Sequence, residues 1–188
     1  MLEATRVDMM SVLGPMIATE GESADMISIE TDLMNPAFRE TLAASGGLPF
    51  AALLGVIDEL RAELCASTGR PLLDGGGFHL MRYPPGSKFM RHVDEDASLH
   101  EPVRNSISFL VYLTPTDWRA EDGGALRVFE RGAAAEPRAV QPFGGTLVVY
   151  DSALEHEVSV TRRERLLVSG RFRELDADWQ RGRSGAGA

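Results

Sequence analysis

The sequence holds a single cysteine, Cys65, among its 188 residues. One thiol cannot close an internal disulfide, so nothing here calls for an oxidising compartment. Set in an apolar, alanine-rich stretch, Cys65 reads as a small buried hydrophobe. Long apolar runs are also missing. No stretch approaches the roughly 18 residues that a membrane-spanning helix needs, so no membrane span is expected. Glu3, Arg6 and Asp8 interrupt the apolar N-terminal residues, which makes a poor signal peptide. A cytosolic, reducing location follows as the expectation. Basic charge is scarce as well: 19 Lys and Arg face 28 Asp and Glu, for a net charge of −9. A nucleic-acid-binding domain carries the opposite balance, and solubility is the simplest use of the acidic excess. Two catalytic signatures are absent. Ser152 stands in no Gly-x-Ser-x-Gly elbow, and no His-Glu-x-x-His pair of a helical zinc site occurs.

What is present suits one globular domain. Hydrophobic residues make up 44% and charged residues 25%, and the length fits a single core. The chain divides by texture at about residue 70. Residues 1–70 read as a helical support region, residues 71–178 as a strand-rich core, and residues 179–188 as a flexible Gly/Ser/Ala-rich tail. In the first part, residues 1–18 suggest a helix ending near Gly14-Pro15. Pro49–Thr68 is the clearest helix: Pro49 suits a first turn, and Leu53, Leu54, Ile57, Leu60 and Leu64 recur at helical spacing. Gly69 and Pro71 then stop it. In the second part, strands are expected at Phe78–Tyr83, Lys88–Asp94, Ser106–Leu113, Ala125–Phe129, Thr146–Tyr150, His156–Val160 and Leu166–Phe172, each set off by turn residues. Helices followed by many short strands indicate an α+β, mainly β domain built on a sandwich or barrel.

Only four histidines occur: His79, His92, His100 and His156. His92-Val93-Asp94 places an imidazole and a carboxylate two residues apart, and on a strand such residues face the same side. His156, just beyond the next strand and turn but two, could supply a third ligand from a neighbouring strand. Two histidines and one carboxylate on one face leave positions open for a co-substrate and oxygen, the arrangement of non-haem Fe(II) oxygenases. Catalytic zinc is the rival for the same donor set. Arg165 opens the last strand, and its planar fork could take a carboxylate bidentately; a solvated arginine is the other reading. Tyr83 and Tyr112 end strands that would flank the metal face, and a buried phenol needs a hydrogen-bond partner. His79 shares parity with Met81 and Tyr83, which makes it a candidate for the substrate entrance or an ordinary core histidine. Glu95, Asp96 and Glu101 suggest an acidic loop, with His100 exposed in it.

Taken in order, these segments resemble the prolyl 4-hydroxylase-like branch of the 2-oxoglutarate and Fe(II)-dependent oxygenases. Arg82-Tyr83-Pro84-Pro85-Gly86 leading into Arg91-His92-Val93-Asp94 is similar to that family's turn and His-x-Asp strand. Val111-Tyr112-Leu113, Gly123-Gly124-Ala125-Leu126-Arg127-Val128-Phe129, and Gly144-Gly145 through His156-Glu157-Val158 resemble the segments that follow. Arginine at 165 is similar to the oxygen-sensing and bacterial hydroxylases, where collagen-type members carry lysine. The resemblance implies a double-stranded β-helix, or jelly roll, buttressed by N-terminal helices. It implies Fe(II) on His92, Asp94 and His156, and 2-oxoglutarate held by Arg165 and Tyr112 with Tyr83 and Leu126 lining its pocket. It further implies O2 as oxidant, ascorbate as an accessory reductant, and hydroxylation of a prolyl residue in a protein or peptide. A free amino acid or other small metabolite, or a non-catalytic metal-binding jelly roll, are the alternatives. One departure stands out: Ser169-Gly170-Arg171-Phe172 has arginine where many relatives have tryptophan. If Arg171 faces inward like Arg165, the pocket floor or the substrate entrance is altered.

Overall fold

The computed structural model describes residues 29–32, 48–74, 78–95, 102–130 and 136–175. The helix expected within residues 1–18, the tail at 179–188, and the loop residues Asp96, His100 and Glu101 lie outside them. Among the described residues one α-helix, α1 (Leu48–Thr68), precedes the main run of strands. The strands are β1 (Ile29–Asp32), β2 (Phe78–Tyr83), β3 (Phe89–His92), β4 (Val103–Tyr112), β5 (Leu126–Phe129), β6 (Arg138–Val140), β7 (Leu147–Asp151), β8 (Glu155–Val158) and β9 (Arg165–Leu175).

The strands form two antiparallel sheets, one ordered β1-β2-β9-β4-β7 and the other β3-β8-β5-β6. Neighbours in these sheets are seldom neighbours in sequence, which is the crossing pattern of a jelly roll. Alternation along each strand divides the buried side chains between two layers. Phe78, Leu80, Ile107, Phe109, Val168 and Phe172 point to one face of the larger sheet and pack beneath α1, whose Ile57 is fully buried among them. Tyr83, Leu110, Tyr112, Leu126, Val158 and Leu167 fill the space between the two sheets. The second layer also holds the polar residues singled out above. Cys65 is half-buried and packs at the edge of the α1 layer.

Two expectations need correction. Residues 1–70 are not helical throughout, because Ile29–Asp32 is a strand paired antiparallel with β2. β-Branched Ile29 and Thr31 alternating with acids suit an edge strand. The strand expected over Lys88–Asp94 ends at His92, and its pairing with β8 is irregular between Phe89 and His92. Asp94 therefore reaches the site from a bend rather than from the ladder.

A candidate metal centre and its pocket

His92 and His156 are direct cross-strand partners in the β3–β8 pair, and their ring centroids lie 4.3 Å apart. A cross-strand pair on one face is the closest approach that two strands offer. His92 Nδ1 lies 2.7 Å from the Met90 carbonyl and His156 Nδ1 lies 2.9 Å from that of Leu154. A carbonyl can only accept, so each Nδ1 carries the proton and each Nε2 presents a lone pair to the site.

Asp94 is fixed through its backbone. Its N–H donates to the Ser152 carbonyl at 3.0 Å, and its own carbonyl accepts from Asn105 Nδ2 at 2.9 Å. Ser152 sits in the turn between β7 and β8, buried, with its hydroxyl 2.8 Å from that of Ser108. The bend carrying Asp94 and the turn leading to His156 are thereby tied together. The result puts Asp94 Oδ1 3.7 Å from His92 Nε2 and Oδ2 3.6 Å from His156 Nε2. Ligand atoms of all three residues lie within 4.8 Å of one another. Three donors at this spacing on one side can hold a single metal ion and leave its other side open.

Electrostatics favour a bound cation. Burial by itself would raise the Asp94 carboxyl, but the neighbouring His92 and the Arg171 guanidinium bonded to it outweigh that effect and hold the group well below the usual carboxylate range. Burial also pushes the His156 imidazole down, against its bond to Leu154 and the charge of Asp94. A neutral imidazole and an ionised carboxylate are the forms that bind metal.

Arg165 is 1% exposed and opens β9 opposite Tyr83. Its guanidinium stacks over the rings of Tyr83, at 4.8 Å, and Tyr112, at 5.0 Å, and Nη2 donates to the Tyr112 hydroxyl at 3.3 Å. Nε and Nη1 find no hydrogen-bond partner among the described residues. A buried cation without an anion is costly, so an orphaned guanidinium is the opening that a carboxylate ligand fits. Gly124 makes room for this side chain. A Cβ there would lie 3.1 Å from Arg165 Cδ, and its φ of +69° is one that other residues rarely adopt.

The same pocket is lined by the three metal-site residues and by Tyr83, Leu126, Arg165, Ser169 and Arg171. Tyr112, buried beside it, reaches Arg165 through its hydroxyl. On β9 the lining residues fall at alternate positions, as a single strand face requires. His79 shares the face of Met81 and Tyr83 and pairs with Ser169, yet it is not part of the lining. Arg171 does face inward, and Nη2 lies 2.6 Å from Asp94 Oδ1, so it bonds a metal-site carboxylate. Tyr150, the third tyrosine, was not singled out from the sequence. Its hydroxyl donates to Asp94 Oδ2 at 3.0 Å and stands 3.3 Å from His156 Nε2. Burial, and then the Asp94 charge, push that phenol far above its ordinary value, so it is a proton donor at any working pH. The parity of β7, with Val148 and Tyr150 inward and Leu147 and Val149 outward, was the available signal.

Residues 78–173 match the 2OG-Fe(II) oxygenase superfamily. The chain belongs to that family. With the triad in place it is an Fe(II)- and 2-oxoglutarate-dependent dioxygenase. Solved structures share the fold. A prolyl-4-hydroxylase from Pseudomonas putida superposes with a TM-score of 0.69 at 24% identity, covering 92% of this chain and 85% of that one. A prolyl hydroxylase from Trichoplax adhaerens, in complex with a hypoxia inducible factor peptide fragment, gives 0.69 at 14% identity, covering 96% and 80%. A prolyl 4-hydroxylase from Phytophthora capsici gives 0.70 at 19%, covering 94% and 56%. No curated protein matches the chain. No helix among the described residues is long and apolar enough to cross a membrane.

Proposed function

We propose that this dioxygenase hydroxylates a prolyl residue in a protein or peptide. The observation that carries its co-substrate chemistry is the buried, partly orphaned guanidinium of Arg165 in the same pocket as His92, Asp94 and His156. When bound, Fe(II) and 2-oxoglutarate use O2 to hydroxylate a C–H bond, with release of succinate and CO2.

The chain's own residues do the remaining work. His92 and His156 bind the metal through Nε2, and Asp94 binds through a carboxylate oxygen. Arg165 and the Tyr112 hydroxyl take the distal carboxylate of 2-oxoglutarate, while the Tyr83 ring and Leu126 wall the space between that carboxylate and the metal. These apolar walls exclude water, which strengthens the Arg165 charge within the pocket. Tyr150 donates to Asp94 and fixes its orientation, as outer partners of metal ligands commonly do. No side chain is needed as a general acid or base. The prolyl substrate is supported by the fold shared with prolyl hydroxylases, one of them in complex with a peptide fragment.

Protein mixed with Fe(II) and 2-oxoglutarate without oxygen should show a weak visible charge-transfer band. The band should vanish in His156→Ala and weaken in Arg165→Ala. Addition of O2 and prolyl peptides should then yield succinate and a peptide heavier by one oxygen atom. Folded protein that gives no band would remove the basis of this assignment. A band with hydroxylation of free amino acids but not of peptides would leave the chemistry and replace the substrate.

A further inference from the structure

Two segments hold the backbone of Asp94: Asn105 donates to its carbonyl, and the Ser152 carbonyl accepts from its N–H. A side chain remote from both in sequence bridges them. Arg70 stands two residues past the end of α1. Its Nη1 donates to the Ser106 carbonyl at 3.0 Å and to Ser106 Oγ at 3.1 Å, and its Nη2 donates to Asp151 Oδ2. Both contacts fall where the ladder gives way. The β4–β9 register shifts between Asn105 and Ile107, so Ser106 stands at a bulge, a feature that re-aims neighbouring groups. Its carbonyl is shared by Arg70 and the Ser152 N–H, the latter at 3.0 Å. Asp151 ends β7 and opens the turn to β8. Its Oδ1 accepts from the Ala153 N–H at 2.9 Å, and its carbonyl accepts from the Leu154 N–H at 3.0 Å. That turn offers the Ser152 carbonyl to Asp94 and the Leu154 carbonyl to His156 Nδ1.

We infer that Arg70 is a positioning residue of the metal centre, clamping the Ser106 bulge to the Asp151 turn and so setting how Asp94 and His156 stand to each other. The inference rests on the oxygenase reading above and adds to it a residue that acts only through others. A guanidinium suits the task because its planar fork serves a carbonyl and a carboxylate at once, where an ammonium is a single point charge. Without it the two segments are still joined by the Ser152–Ser106 backbone bond and by the Ser108–Ser152 hydroxyl pair. The turn then keeps its place but gains latitude, which metal ligands tolerate poorly. Removing the guanidinium does not strand its partners. The Arg70 and Asp151 side chains are 36% and 40% exposed, and both border a cavity of about 410 Å³ from which water can reach the freed groups.

The test is a Mn(II) titration of the metal-free full chain, run well below the melting transition, on the wild type, R70Q, R70K and R61Q. Arg61 is the control for a general loss of packing. It too donates to a carbonyl and pairs with an acid, but these are Leu72 and Asp74, outside the two segments that hold Asp94. Direct outer partners of metal ligands commonly govern about 10–100-fold in metal affinity. Arg70 acts one bond further out, so R70Q should bind Mn(II) about tenfold more weakly, the low end of that range. R70K keeps the charge beside Asp151 and should fall between R70Q and the wild type. R61Q should stay within about twofold of the wild type even if it melts lower, since melting and metal grip are then separate. R70Q that binds Mn(II) as the wild type does, or R61Q that loses as much as R70Q, overturns the inference. Should R70Q not fold, D151N removes the same ion pair from its other side and is held to the same limits. A wild type that binds no Mn(II) would sink the oxygenase reading and this inference with it; a wild type that binds, beside an unaltered R70Q, sinks the inference alone.

Discussion

Replacing Arg165 with methionine should pull stability and ligand affinity in opposite directions. In the ligand-free protein the guanidinium is almost fully buried, makes one 3.3 Å hydrogen bond to Tyr112, and leaves Nε and Nη1 without partners among the described residues. Desolvating such a cation costs several kcal/mol, and replacing a buried charge by a well-packed apolar side chain is commonly neutral or stabilising by about 1–4 kcal/mol. The stacking over Tyr83 and Tyr112 offsets part of this, at about 0.5–2 kcal/mol per contact. Metal-free Arg165→Met should therefore melt at the wild-type temperature or higher. Its affinity for 2-oxoglutarate should collapse. Two charge-assisted hydrogen bonds at about 1.5–3 kcal/mol each amount to about 3 kcal/mol at the least, or more than about a hundredfold in Kd. Calorimetric titration of 2-oxoglutarate into the Mn(II) form, with melting curves of the metal-free proteins alongside, measures both. A variant that melts several degrees lower and still binds 2-oxoglutarate normally would refute the reasoning, since Arg165 would then be a satisfied structural residue.

Tyr150→Phe removes the phenol that donates to Asp94 Oδ2 while keeping the ring. Metal affinity, followed by Mn(II) titration, should fall about 10–100-fold, and an unchanged value would separate Tyr150 from the metal centre. Asp94→Asn should abolish metal binding and also report on acid stability. The folded-state value of Asp94 is depressed, so its stabilising contribution is complete above about pH 4, the unfolded carboxyl value, and is lost as pH falls below it. The melting-temperature gap between the metal-free wild type and this variant should hold from neutrality to about pH 4 and narrow only below; narrowing that begins above pH 5 would contradict the assignment. Gly170→Ala would place a Cβ 2.5 Å from Phe109 Cε1 and 2.6 Å from Phe78 Cδ1. Both rings lie in the layer beneath α1, so overpacking should cost about 1–3 kcal/mol, and a thermal midpoint lowered by less than about 2 °C would mean that the rings move aside freely.

How much of this could be read from the sequence depended on whether the signal was local. α1 was legible because a 3.6-residue apolar stripe and a proline–glycine frame define a helix without reference to anything else. β2 was legible in full, since Phe78–Tyr83 is bounded by glycines and prolines. The short edge strands were not. β1 lies in a stretch whose surroundings read as helical, and β6, at three residues, is held by pairing with β5 rather than by any preference of Arg138-Ala139-Val140. The metal-site residues were visible as residue types at a spacing, but the stated reason was only half right: His92 is on the ladder, and Asp94 arrives from a bend held by Ser152 and Asn105, contacts that no local pattern encodes. The same limit hid Tyr150 and the task of Arg171. Each is placed by strand parity, which a sequence gives, but each meets Asp94 across a gap between sheets, which it does not. The sequence marks Arg171 as a change in the pocket, and only the three-dimensional arrangement shows that it meets Asp94. Arg171 is a cation bonded to a metal-site carboxylate, in a pocket that already contains Arg165. The first effect of that cation falls on the Asp94 carboxyl, which it helps to hold ionised.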